Sequence, residues 1–374
     1  MDEVALPEAA ASTRVRVRDF LASVVAPVEA AAGEQAWGRD EWRRALTELG
    51  ADARERGLWA PHLPPRWGGS GLDAVSAAVV LAEAAASRLG SAVMNVRAPD
   101  VATGDALLHF GTDEQRDRFL GPLGAGRKRS AREADRPGPL VPTLRAEPSG
   151  GGWTLHGGPL ALAGAERAGL VLVAAATSAG PTALCLELPA EGWTTGPPVP
   201  SLGVDARAVG ATGVAVPADA VVGRAGHGGE VMARGLELVV LARCLRWHAL
   251  GCAVAERIGA HIAEAPPAVA AAFAVEAGRS LVDMTHAGLV VSDLVAAVAD
   301  WSVGADRLSM ARIGVGEAFA AAVDRCTRIE ADLGSTDPLP AAVRRQARWA
   351  AVAGGTPEAH LAALSGVYLN QMRW

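Results

Sequence analysis

H-F-G-T-D-E-Q-R-D-R-F-L-G-P-L-G-A-G, His109 to Gly126, is where the chain changes character. Within it, Thr112-Asp113-Glu114-Gln115 has the capping-box form. A threonine hydroxyl accepts from the N–H three residues on, and the glutamine there reaches back, so a helix opens at this point. Upstream, from about Ser12, R-V-R-D-F-L-A-S-V-V-A-P-V-E and W-R-R-A-L-T-E-L-G-A-D-A-R-E-R-G place apolar and charged residues at helical spacing. Downstream, from about Arg127 to Gly223, Gly and Pro punctuate short apolar runs such as Leu170 to Ala175 and Ala183 to Leu188, which read as strands. From Gly229 onward, long Ala/Leu/Val-rich helical stretches return, interrupted near Pro266-Pro267, Gly304 and Ser335 to Pro340. Helices, then strands, then helices predict an α+β chain that is mainly α.

At 374 residues, half of them hydrophobic, the chain fits two or three packed units. A formal charge of −6 and the lack of any basic cluster with interleaved aromatics argue against nucleic-acid or anionic-membrane partners. No uninterrupted apolar run approaches a membrane span, and Met1-Asp2-Glu3 opens no apolar signal core. Cys185, Cys244, Cys252 and Cys326 lack C-x-x-C spacing, which disfavours zinc and a disulfide framework. The expectation is a cytoplasmic protein with reduced thiols and no metal.

Four segments carry a resemblance: Gly57 to Asp73 (G-L-W-A-P-H-L-P-P-R-W-G-G-S-G-L-D), Asn95 to Asp100 (N-V-R-A-P-D), His109 to Gly126, and Val216 to Gly223 (V-P-A-D-A-V-V-G). In order and spacing they resemble the acyl-CoA dehydrogenase family over nearly the whole chain. The resemblance implies an N-terminal helical domain over 1–126, a middle β-domain over 127–228 and a C-terminal four-helix bundle domain over 229–374. It also implies an acyl substrate and association into oligomers.

In that family FAD is held by four pieces of sequence, and each looks altered here. The first resembles A-x-T-E-P and a small-residue turn. The match, Arg129 to Pro139, keeps Glu133 but has Arg132 at the threonine and Arg136-Pro137-Gly138-Pro139 in the turn. The second resembles G-x-K-x-W-I-T-G, with Ala161 now at the tryptophan and Ala163 at the threonine. The third, an arginine before x-x-F-G, meets His261 to Val269, which has neither. The fourth, Q-x-x-G-G, meets Arg328 to Asp332, where the anionic Asp332 disfavours a nearby phosphate. Bulk, fixed charge and lost stacking together give the expectation that the chain binds no FAD and needs no other cofactor.

The family's base, an acid before G-T or G-P, falls at Gly354, and its alternative place on the first C-terminal helix holds Val239 and Val240. Abstracting a proton beside a thioester needs a carboxylate within reach. Polar residues on otherwise apolar helix faces are the candidates to act instead. Glu237, Arg243 and His248, with Cys244 and Arg246 alongside, share one helix; Asp283, His286 and Asp293 share another. Of these, Glu237, His248, Arg243, Asp283 and His286 are taken as candidate catalytic residues. The leading expectation is a flavin-independent enzyme performing isomerisation, dehydration or cyclisation on an acyl or polyketide-like substrate. The alternatives are a flavin-less partner subunit of a heteromeric acyl-CoA dehydrogenase, or a divergent FAD-dependent dehydrogenase. Self-association through the C-terminal helices, as a homo-oligomer or with a homologue, accompanies each.

Overall fold

A computed structural model describes residues 4–34, 38–133, 140–199, 206–300, 302–352 and 354–371. The turn Arg136 to Pro139 lies outside the described residues. Two compact units emerge: one contains Ala9–Asp135 and Pro139–Val239, the other chiefly Val240–Trp374.

The first unit opens with helices α1 (Glu8–Phe20), α2 (Ala26–Glu34), α3 (Arg39–Glu55), α4 (Ala74–Ala84), α5 (Gly90–Val93), α6 (Ala98–Phe110), α7 (Asp113–Gln115) and α8 (Gly121–Gly124). Strands follow: β1 (Ser130–Glu133), β2 (Leu144–Ser149), β3 (Gly152–Ala163), β4 (Leu170–Thr177), β5 (Gly180–Glu187), β6 (Trp193–Pro198) and β7 (Arg207–Val216). The expected runs at 170–175 and 183–188 are thus β4 and β5. The sheet runs β1-β4-β2-β3-β7-β6, with β5 on β4. Strand β4 is buried on both faces, which is why it reads as a continuous apolar run. Leu170, Leu172 and Ala174 pack with Trp59, Trp67, Leu107 and Phe119 of the helical part. Val171, Val173 and Ala175 alternate to the other face and pack with Leu155, Leu160, Leu162 and Val214.

The four segments of the resemblance prove to be the fasteners of this unit. Trp59 Nε1 donates to the Gly124 carbonyl at 2.8 Å, and Asn95 Nδ2 donates to Leu123 and Gly124 carbonyls at 3.1 and 3.3 Å. The capping box forms as read: Gln115 N–H donates to Thr112 Oγ1 at 3.2 Å, and Thr112 N–H to Gln115 Oε1 at 3.0 Å. The Gln115 amide nitrogen then donates to the Asp219 and Val221 carbonyls, at 2.7 and 2.8 Å. Gly69 lies so close to the Leu63 and Ala60 carbonyls that a Cβ there would collide with both. That close approach accounts for the W-G-G sequence.

After α9 (Gly228–Ala233), helix α10 (Leu236–Glu264) leads into α11 (Pro267–Ala299), α12 (Ala305–Asp332), α13 (Ala341–Ala350) and α14 (Pro357–Gln371). Their breaks fall at Pro266-Pro267, Gly304 and the stretch ending at Pro340, because proline starts a helix easily and cannot continue one. The second unit packs around Trp247, Val254, Met284, Val291, Val315 and Phe319, all nearly inaccessible.

The expectation concerned uninterrupted apolar runs; two helical stretches nevertheless pass on average hydropathy. Gly228–Glu264 and Pro267–Ala299 are both long and apolar enough by length and composition, each with mean hydropathy 1.5. Isolated charges interrupt the apolar runs without lowering their average. They differ in cover: 67% of the first window is buried, but only 39% of the second.

Candidate active site

In the first unit a cluster of charges gathers on Asp105 of α6, Arg132 of β1, Arg234 in the turn between α9 and α10, and Glu237 of α10. Glu237 sits in the first turn of α10, where the helix dipole favours an anion. Arg234 Nε pairs with Asp105 Oδ2 at 2.7 Å, and its Nη1 donates to Glu237 Oε1 at 3.4 Å. Asp105 and Glu237 side chains are 5% and 14% exposed, so both carboxylates sit in low dielectric. Burial raises both above the ordinary carboxylate range, while Arg234 pulls each back down. For Glu237, the neighbouring Asp105 charge also raises it. A carboxylate shifted up towards neutrality is what a general base requires.

Arg132 is nearly inaccessible, and its guanidinium donates to the Met232 and Arg234 carbonyls. It holds the chain entering α10, and so the frame on which Arg234 and Glu237 sit. On β3, Leu160 and Leu162 point into the core, while Ala161 and Ala163 alternate to the other, half-buried side. Ala161 is registered against Ala208 of β7, and Ala163 against Arg132 of β1. Ala161, Ala163 and Ala208 are all small side chains.

The second unit gives the other candidates separate partners. His248 Nε2 lies 3.2 Å from the Met284 carbonyl and its ring approaches Cys252. Arg243 stacks over Trp349, 5.0 Å from its centroid. Asp283 pairs with Arg325 of α12, His286 is exposed, and the exposed Asp293 pairs with Arg307 at 3.2 Å. The carboxylates do stand beside arginines, but these are Arg234 and Arg325, neither of which the helix-face reading selected. Burial pushes the Cys244 thiol up to about 12, too high for a nucleophile near neutrality. Among the described residues no group of three or more His, Cys, Asp or Glu side chains could hold a metal.

Sequence reasoning also missed a buried cluster around Gly354. Arg312 of α12 donates to the Gly354 carbonyl at 3.0 Å, and His360 of α14 lies 3.0 Å from both that carbonyl and the Ser309 hydroxyl. A Cβ at Gly354, whose φ is +77°, would collide with the Arg312 guanidinium. The Arg312 guanidinium thus lies directly against Gly354, the position that the resemblance assigns to the acid. His360 was the one visible signal, since it followed that position in sequence.

Comparison with known proteins gives these parts a family. Residues 7–127 match the model described as "Acyl-CoA dehydrogenase, N-terminal domain". The bovine mitochondrial short-chain specific acyl-CoA dehydrogenase is 24% identical, over 99% of this chain and 92% of its own length. Butyryl-CoA dehydrogenase from Megasphaera elsdenii superposes with a TM-score of 0.76 at 19% identity, covering 99% of this chain and all of that one. A Mycobacterium smegmatis glutaryl-CoA dehydrogenase in complex with FADH2 does so at 0.72 and 17% identity, covering 97% and 95%. The expectation that the chain binds no FAD is overturned by these matches, which include a fold neighbour holding the reduced flavin. The physical basis of that expectation also weakens. The Arg132 guanidinium is spent on backbone carbonyls, and Ala161 and Ala163 withdraw contacts without blocking the β3 face. Residues 7–127 thus match the N-terminal domain of the acyl-CoA dehydrogenase family, and the chain shares that family's fold over nearly its whole length.

Proposed function

We propose that the chain is a divergent FAD-dependent oxidoreductase of the acyl-CoA dehydrogenase type, acting on an acyl thioester with Glu237 as its base. The observation that supports this is a carboxylate raised by burial and clamped by Arg234, in a chain whose Gly354, where the resemblance places the acid, lies against Arg312. Non-redox isomerisation, dehydration or cyclisation of a polyketide-like substrate was inferred from an absent flavin and loses that support.

The residues at 130–133 and 161–163 are those that would hold the flavin. When bound, FAD supplies a hydride acceptor. The chain's own residues do the rest. Glu237 takes the proton beside the thioester carbonyl, Arg234 orients the carboxylate, and Asp105 fixes Arg234 from α6. The three-domain division at 126 and 228 is part of this reading, as is association of the chain with copies of itself.

The test is to express the chain with excess riboflavin, record its visible spectrum, and follow turnover of acyl-CoA substrates of graded length with an artificial electron acceptor. Flavin bands should be present, and Glu237→Gln should keep them while losing about 10²–10⁴-fold in turnover. A flavin-free protein, or a Glu237→Gln variant with undiminished turnover, rejects the reading. A second reading, a subunit that completes a homologue's site, draws on the guanidinium at Gly354. A flavin-bearing but inactive chain that gains turnover only with a co-expressed homologue would favour it.

A further inference from the structure

Helix α14 is anchored to the second unit by one side chain. Among its described side chains only His360 is buried. Pro357, Ala363 and Leu364 are half-buried, while Leu361, Val367, Tyr368 and Leu369 are exposed. A surface helix ordinarily docks through an apolar stripe. Here the anchor is an imidazole, 3% exposed, whose contacts fix it as one neutral tautomer. The Gly354 carbonyl, 3.0 Å from Nε2, can only accept, so Nε2 carries the ring proton. Nδ1 therefore keeps its lone pair and accepts from the Ser309 hydroxyl at 3.0 Å. Arg312 Nη1 converges on the same carbonyl at 3.0 Å and lies 3.4 Å from His360 Nε2. A fixed cation thus stands against the ring.

We propose that protonation of His360 releases α14, making this helix an acid-opened strap over the Arg312 guanidinium and the Gly354 turn. Ser309 can turn its hydroxyl to accept from a new Nδ1–H, so that hydrogen bond survives. The charge is what the site refuses, because a buried imidazolium would face a guanidinium at 3.4 Å. Other charged groups at this end of the unit are mostly cations. Helix α13, which packs on α12, carries only Arg344, Arg345 and Arg348. Helix α10 adds Arg243, stacked on Trp349, and Cys244, whose thiol burial pushes up to about 12 and so keeps neutral. On α12, Asp306 turns its carboxylate back over Gly304. Glu358 of α14 is exposed and only two residues from His360, so it points elsewhere. A solvated imidazole titrates near pH 6.5. Docking is therefore at full strength above about pH 6.5, and below it the released population rises about tenfold per pH unit. The strap needs neither flavin nor Glu237.

The test is hydrogen–deuterium exchange of the full-length chain, read by mass spectrometry at about pH 7.5 and 5.5, with labelling times scaled for the intrinsic rate. Amides of residues 361–371 should exchange about tenfold faster at the lower pH, while those of α10 keep their protection. His360→Gln keeps a donor for the Gly354 carbonyl and cannot titrate in this range, so its α14 exchange should be the same at both. Should that variant leave α14 free at both pH values, histidine NMR decides. The wild-type step must then coincide with titration of the one imidazole resonance that His360→Gln removes. The switch is overturned by a wild type with no step, by a step that persists in His360→Gln, or by a step during which that resonance does not titrate. A step equally large in α6 would be a loosening of the first unit, and overturns it as well.

Discussion

Acid should loosen the first unit through His62. This residue lies in the Gly57 to Asp73 segment, and both its ring nitrogens are sealed from solvent without a hydrogen-bond partner. Space around it is tight, since a Cβ on Gly104 would come within 3.0 Å of Nε2. Burial pushes the imidazole from its ordinary 6.5 down to about 3. The unfolded chain therefore takes up a proton near pH 6.5 that the folded chain refuses until about pH 3. The stability tied to His62 is fully present above pH 6.5 and is lost as pH falls towards 3. At pH 5 the unfolded side chain is about 1.5 units below its midpoint, so the loss from pH 7 is about 2 kcal/mol at ~1.4 kcal/mol per unit. That is a sizeable part of a typical domain's 5–15 kcal/mol. His62→Leu keeps an apolar side chain of similar bulk and abolishes the titration. Urea unfolding followed by tryptophan fluorescence at pH 7, 6 and 5 should show the wild type losing about 2 kcal/mol more than the variant. Identical pH slopes for the two proteins would refute the sealed-histidine account.

Two further outcomes follow from single contacts. Gly354→Ala should lower stability by about 1–3 kcal/mol, read as a lower thermal midpoint, because a side chain at φ +77° is strained and meets the Arg312 guanidinium. A thermal midpoint equal to that of the wild type would mean that the Arg312–Gly354–His360 cluster is not formed. Asp105→Asn should cost about 3 kcal/mol in urea unfolding, since it leaves Arg234 with a neutral partner in place of its closest carboxylate. Because Asp105 raises Glu237, the same substitution should also shift the acid limb of any pH–rate profile to lower pH.

The scaffold was legible because its signals are local. A capping box, a W-G-G turn and proline-marked helix starts each depend on residues a few positions apart, and each appears where the sequence put it. The site was less legible because its partners lie on other elements. Glu237 stood out as an acid on an apolar helix, yet the arginine that clamps it, Arg234, belongs to the turn before that helix, and Asp105 comes from α6. The sequence shows an arginine in place of a threonine at Arg132, but not that its guanidinium turns to the carbonyls of residues 232 and 234. That blind spot produced the mistaken inference against flavin. Similarly, 42 residues separate Arg312 from Gly354, and no helical period relates them.

The two bonds from Gln115 also bear on how the chain emerges from a ribosome. Its cap to Thr112 closes as soon as that turn is made, but the carbonyls that receive its amide lie 104 and 106 residues later. At 5–20 residues per second, the helical segment waits about 5–20 s for them. Over the same interval the partners of Trp59, Trp67, Leu107 and Phe119 on β4 and β5 are still being synthesised. The N-terminal third of the protein is thus born with an apolar flank that only its middle third can close. Chaperone demand during synthesis should therefore peak before residue 221 has cleared the exit tunnel.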